Sequence, residues 1–138
     1  MLRLKSRRQF QAVLAGSTLA RTTHFALHCV AIAMPDPVQN EAPLFSSREA
    51  WLGAMVPKRW AKRAVTRNTI KRQIYAVCAS FETVLKPAAH VVRMRCGFDT
   101  KQYVSASSIV LKTAVRTELQ QLLAQATDRF ASKLECVS

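Results

Sequence analysis

The sequence predicts a single-domain α+β protein, a sandwich of helices on a small sheet, and three observations predict it. The chain has 138 residues and is 49% hydrophobic, the size and core of one domain. Its apolar positions switch between strand-like runs and helical spacing, in the order α-β-β-β-α-β-α. No internal repeat or compositional break divides residues 1–138, although the stretch from about Thr127 is expected to fray.

The elements follow in order. "SRRQFQAVLAG" reads as a helix, with Ser6 and Gln9 spaced as a capping box and Gly16 placed to stop it. Phe10, Val13 and Leu14 share one face. "STLART" is compatible with a short strand, and His24–Ala33 reads as a strand apolar on both faces. A Pro-rich polar loop, "MPDPVQNEAPLFSSRE", separates it from the strand Ala50–Val56, and Pro57 marks that strand's end.

The strongest helix comes next. Ile70, Ile74, Val77, Cys78, Phe81 and Leu85 recur at spacings of 4, 3, 1, 3 and 4, and Pro87 is expected to end it. "AAHVVRMRC" alternates as a strand, with Val92 and Met94 set against Val91, Arg93 and Arg95. Ser107 or Ser108 can cap a last helix whose face is Leu111, Val115, Leu119, Leu122 and Leu123. A strand–helix–strand unit from Ala50 to Arg95 calls for a parallel pair, because a tight hairpin cannot join the two strands through a helix.

Charge narrows the function. The 21 Lys and Arg outnumber the 8 Asp and Glu, for a net charge of +13 and a pI near 10.5. Residues 1–72 hold 13 of the cations against 3 carboxylates. A polyanionic partner follows, nucleic acid before an anionic membrane. No apolar run is long enough to span a bilayer, and the basic N-terminus has no apolar stretch behind it as a signal peptide would. Cys29, Cys78, Cys96 and Cys136 show no CxxC spacing, and no histidine pair completes a metal-ligand pattern. Reduced thiols and a cytoplasmic location are expected.

The charge peaks in "PKRWAKRAVTRNTIKR", Pro57–Arg72. It holds seven cations, Lys58, Arg59, Lys62, Arg63, Arg67, Lys71 and Arg72, and no carboxylate. On a helical wheel, Asn68, Lys71, Arg72 and Tyr75 point away from the apolar centre. Arg67 lies nearer the apolar side, so it is expected to emerge from the first turn beyond the sheet edge. Most charge runs are solvated faces. Here self-repulsion has no internal counterweight, and a helix N-terminus adds free N–H groups that favour phosphate.

These residues resemble the signature of bacterial ribonuclease P protein subunits, a Lys-Lys pair followed by Arg-Asn-x-x-Lys-Arg. Arg67, Asn68, Lys71 and Arg72 match the second part, and Lys58 and Arg59 match the basic pair ending a strand. The order of elements matches as well, over about residues 5–125. The resemblance implies a left-handed strand–helix–strand crossover, against the general right-handed rule. It implies an RNA catalyst that binds Mg²⁺ and cleaves precursor tRNA at the 5′ end of the mature sequence. The protein would dock on ribonuclease P RNA and hold the precursor's 5′ leader, with no metal bound tightly by the protein itself.

By position, the resemblance puts Phe10, Leu14 and His28 at the leader cleft, where an aromatic beside cations suits single-stranded RNA. Two departures weaken the match: Thr69 and Tyr75 stand where the family often carries Arg. "AVCASF" also replaces a more basic helix end. A protein-only nuclease would need clustered carboxylates or histidines, but Asp36, Glu41 and Glu49 share one loop and the other acids are isolated. A structural RNA-binding protein of ribosomal type is the alternative. A sequence-specific DNA binder would show a helix-turn-helix or heptad pattern, and neither is present.

Overall fold

A computed structural model describes residues 2–31, 50–82, 88–98 and 109–137. The loop expected over residues 34–49, Pro87, and the candidate caps Ser107 and Ser108 lie outside the described residues. The elements are β1 (Leu2–Arg3), α1 (Arg7–Leu14), β2 (Ser17–Arg21), β3 (Phe25–Ala31), β4 (Trp51–Met55), α2 (Ala64–Ala79), β5 (Ala88–Met94) and α3 (Ile109–Val137). The expected order is present, with one addition: β1 precedes the first helix. Two residues are too few for a sequence period to show.

The five strands form one mixed sheet in the order β1-β4-β5-β3-β2. β4 and β5 are parallel, as the intervening helix requires, and β1 adds parallel to β4. β3 runs antiparallel to β5 on one side and to β2 on the other.

Alternation along the strands divides the core in two. Phe25, Leu27, Leu52, Ala54, Val92 and Met94 face α2 and α3, where Ile70, Ile74, Val77, Val115, Leu119 and Leu122 complete the larger cluster. Trp51, Ala89 and Val91 face the other way, against Leu4 and Val13, with Phe10 and Leu14 packed at the margin. Cys78 is enclosed in the larger cluster, and burial pushes its thiol up to about 12, which keeps it protonated and inert.

Local chemistry sets the helix ends. The expected capping box forms at α1: Gln9 N–H donates to Ser6 Oγ at 3.2 Å, and Ser6 N–H donates to Gln9 Oε1 at 3.1 Å. α2 ends at Ala79, earlier than Pro87. The N–H groups of Ser80 and Phe81 turn to the carbonyls three residues back, on Val77 and Cys78. Phe81 still packs on the core, so the apolar period outruns the helix. α3 continues without a break through Thr127 to Val137. It is tied to the sheet by Arg129 Nη1, which donates to Leu19 O at 2.6 Å.

Two glycines allow close approaches. A Cβ on Gly16 would lie 2.5 Å from the Cys29 carbonyl oxygen, where α1 turns into β2. A Cβ on Gly53 would lie 2.5 Å from Phe10 Cε1 and 2.8 Å from Leu4 Cδ1, so β4 leaves the space that the Phe10 ring occupies. Overpacking costs about 1–3 kcal/mol. Gly16→Ala should be the more damaging change in urea unfolding, because its obstacle is backbone. Gly53→Ala should be milder, because a ring can swing aside. The reverse order would mean that the Phe10 contact is the tighter constraint.

Candidate nucleic-acid interface

The basic stretch divides between a turn and a helix. Trp60 and Ala61 N–H groups both donate to the Pro57 carbonyl at 3.1 Å, which curls the chain after β4. Ala61 is buried in the larger cluster and Trp60 packs beside it, so the turn is anchored. Lys58, Arg59, Lys62 and Arg63 are exposed around these anchors. The Arg59 guanidinium lies 5.0 Å from the centroid of the Trp60 ring.

Arg67 differs from expectation. It is half-buried, and its Nη1 turns back to donate to the carbonyls of Ala61 at 3.1 Å and Lys62 at 2.9 Å. A cation at the margin of the core is satisfied by charge-assisted bonds to the turn it follows. Arg67 therefore braces the basic turn, and only the remainder of its guanidinium is left for a partner. Arg63 is the N-cap of α2 with no side-chain cap bond, and the first turn holds no acid. The positive end of the helix dipole adds to the charge there.

Asn68 and Arg72 are exposed, and Lys71 and Tyr75 are half-buried, on the side of α2 that the wheel predicts. Thr69 is only 8% exposed, and its hydroxyl donates to Val65 O at 2.9 Å. The departure at position 69 thus falls on an inward-facing residue, while the one at 75 falls on the open face. Sequence reasoning missed Arg3 of β1, whose guanidinium carbon sits 4.0 Å from the centroid of the Tyr75 ring. Such stacking contributes about 0.5–1 kcal/mol at an exposed site. No signal in the sequence joins positions 3 and 75.

The other face of the sheet carries the three residues assigned to the leader cleft. Gly53, Val91 and His28 lie in register in one row across β4, β5 and β3. The Phe10 ring stands against Gly53, at one end of the row. His28 is at the other end, two strand spacings or about 10 Å away. Leu14 is half-buried one helical turn beyond Phe10 and packs in the same cluster. The next row is Met55, Arg93, Ala26 and Arg21, in which Met55 and Arg93 are half-exposed and Arg21 is exposed. This row gives the open part of the face two cations beside the α1 residues.

His28 is 8% exposed and held from both ring nitrogens. Arg93 Nε donates to His28 Nε2 at 3.3 Å, so the ring proton belongs on Nδ1, 3.4 Å from Thr18 Oγ1. His28 thus orients Arg93 and offers little ring face of its own. Burial lowers its pKa, and the charges of Arg93 and Arg21 lower it further. Among the described residues no three His, Cys, Asp or Glu side chains gather to hold a metal ion, and no helix is long and apolar enough to cross a membrane.

A carboxylate-free cationic turn and helix, mounted on a small mixed sheet with helices on both faces, define a basic α+β protein whose surface suits a polyanionic partner. The ribonuclease P family profile matches residues 1–127. The chain is 33% identical over 117 residues to the ribonuclease P protein component of Bordetella parapertussis, covering 85% of each. It is 28% identical over 131 residues to that of Burkholderia pseudomallei, covering 95% of this chain and 86% of the relative. The structure of the Staphylococcus aureus RNase P protein superposes with a TM-score of 0.64 at 18% identity, over 91% of this chain and 95% of that one. The Thermotoga maritima RNase P protein gives 0.56 at 18% identity, over 88% and 97%. The chain belongs to the ribonuclease P protein family, the accessory subunits of an endoribonuclease that matures the 5′ end of tRNA together with an RNA subunit.

The histidine generates a prediction. Below about 6.5, the ordinary histidine value, the unfolded chain takes up a proton that the folded ring resists. Stability is therefore full above that value and falls as the pH drops through the window beneath it. Urea midpoints measured at about pH 7 and about pH 5 should differ less for His28→Gln than for the parent chain. An equal difference would assign the acid sensitivity to other groups.

Proposed function

We propose that this chain docks on ribonuclease P RNA through the turn and α2, and holds the 5′ leader of precursor tRNA on the sheet face beside α1. The observation that carries this reading is the separation of two surfaces on the two sides of one sheet. Lys58, Arg59, Lys62, Arg63, Asn68, Lys71 and Arg72 form a cationic surface around α2 with no carboxylate in its sequence stretch. Phe10 and Leu14, with Met55, Arg93 and Arg21, form a mixed aromatic, apolar and cationic strip on the other side.

The first surface suits a folded RNA backbone, where each neutralised phosphate releases counterions. The second suits a single strand, which is gripped by stacking and by a cationic track. Phe10 is the stacking group in this reading. Arg93, oriented by His28, is a phosphate ligand, and His28 acts through it. Mg²⁺ is ligated by oxygen, preferably from carboxylate or phosphate. In this reading the ion is bound mainly by the RNA, and the chain supplies binding. The reading places the protein in the cytoplasm, where precursor tRNA is made.

Cleavage of a 5′-extended precursor tRNA at low Mg²⁺ tests the proposal, with bacterial ribonuclease P RNA alone, the chain alone, and both together. Stimulation is expected only with both. Tight RNA binding without stimulation by any of several ribonuclease P RNAs would favour a structural RNA-binding role. Phe10→Ala should weaken binding of the precursor several-fold and leave mature tRNA nearly unchanged. Equal losses on both substrates would make Phe10 a packing residue only.

A further inference from the structure

We infer that Arg3 of β1 and Tyr75 of α2 build, with Asn68, Lys71 and Arg72, a walled groove that takes one phosphodiester of the partner RNA. This rests on the RNA-docking reading and adds a site to it. The groove is an open recess of about 560 Å³ lined by Arg3, Asn68, Lys71, Arg72, Tyr75 and Ala76. Its lining holds three cations and a carboxamide, and no carboxylate.

β1 creates the far wall. Leu2 N–H donates to Ala50 O at 2.9 Å and Leu4 N–H to Leu52 O at 3.0 Å, which fixes this short edge strand on β4. Alternation then sends Leu2 and Leu4 to the α1 side, where both pack in the smaller cluster. Arg3 is left on the α2 side, stacked on Tyr75. A helix face alone would be convex, and the strand turns it into a recess with cations on opposed walls.

The ring contact at 4.0 Å also limits where the guanidinium can go. Arg has five N–H donors in a rigid fork, and a ring against one face leaves its edges free for two phosphate oxygens. Lys71 and Arg72 approach from the other wall. Asn68 can donate to or accept from the neighbouring ribose 2′-hydroxyl, a group that DNA lacks. The positive charge absent from position 75 of the helix is therefore supplied across space from position 3, and Tyr75 is the platform that holds it.

The test measures affinity of the full chain for ribonuclease P RNA against salt concentration. Arg3→Ala should weaken binding about tenfold at moderate salt, as loss of a charge-assisted bond does, and should reduce the slope of log K on log salt by about 1. Arg3→Lys should keep most of the slope and still lose several-fold in affinity, because it lacks the fork. Tyr75→Phe should bind like the parent, whereas Tyr75→Leu should weaken binding, and the pair Arg3→Ala with Tyr75→Leu should be no worse than Arg3→Ala alone. Thermal midpoints should stay close to the parent's throughout. Parent-like affinity and slope in Arg3→Ala, or additive losses in the double variant, would overturn the groove. Lys71→Glu separates the two readings. If it loses RNA binding while Arg3→Ala does not, the groove falls and RNA docking stands. If neither variant loses binding, both fall.

Discussion

The strand Ala88–Met94 lies at the centre of the five-stranded sheet, and both core clusters pack on it. It hydrogen-bonds to β4 on one side and β3 on the other, and six of its seven residues are buried. A strand in that position must be apolar on both faces, because each face meets a different layer. Val92 and Met94 hold α2 and α3, and Ala89 and Val91 hold α1. The strand's polar residues are His90, which is fully buried, and Arg93. Arg93 emerges past the end of the α1 cluster, where His28 receives its Nε–H. The same alternation that builds the core thus delivers a cation to the open sheet face.

Uncompensated charge is the second constraint. Seven cations in Pro57–Arg72 repel one another, and the chain limits the cost in two ways. Trp60 and Ala61 bind the turn to the core, so the charges are spread around fixed anchors. Arg67 is turned inward onto two backbone carbonyls, which converts one cation from a surface group into a brace. The remaining charges stay at the surface with a net attraction for phosphate, and this attraction falls with salt as counterion release requires.

β1 joins the two surfaces. It is two residues long, yet its Leu2 and the following Leu4 belong to the cluster under α1 while Arg3 belongs to the groove beside α2. A rearrangement of this strand would disturb both sides of the sheet at once. Edge strands are exposed to unwanted pairing, and a short strand that carries Arg is one way to blunt the edge.

Much of this protein was legible in the sequence, because periodicity and capping are local properties. The positions of α1, its capping box, the strands at Phe25–Ala31, Trp51–Met55 and Ala88–Met94, the amphipathic α2 and the apolar face of α3 all follow from residue spacing. So do the net charge, its concentration in the Lys58–Arg72 segment, and the family signature in Arg67, Asn68, Lys71 and Arg72. Tertiary structure alone decided what lies across space. A two-residue strand has no period, so β1 and Arg3 were invisible. The inward turn of Arg67 depends on carbonyls that the turn presents only once Ala61 is buried. The hydrogen bond between His28 and Arg93, 65 residues apart in the chain, depends on the register of β3 against β5. A charge missing from one position of a helix can be restored from a distant strand, and spacing along one chain segment carries no information about that.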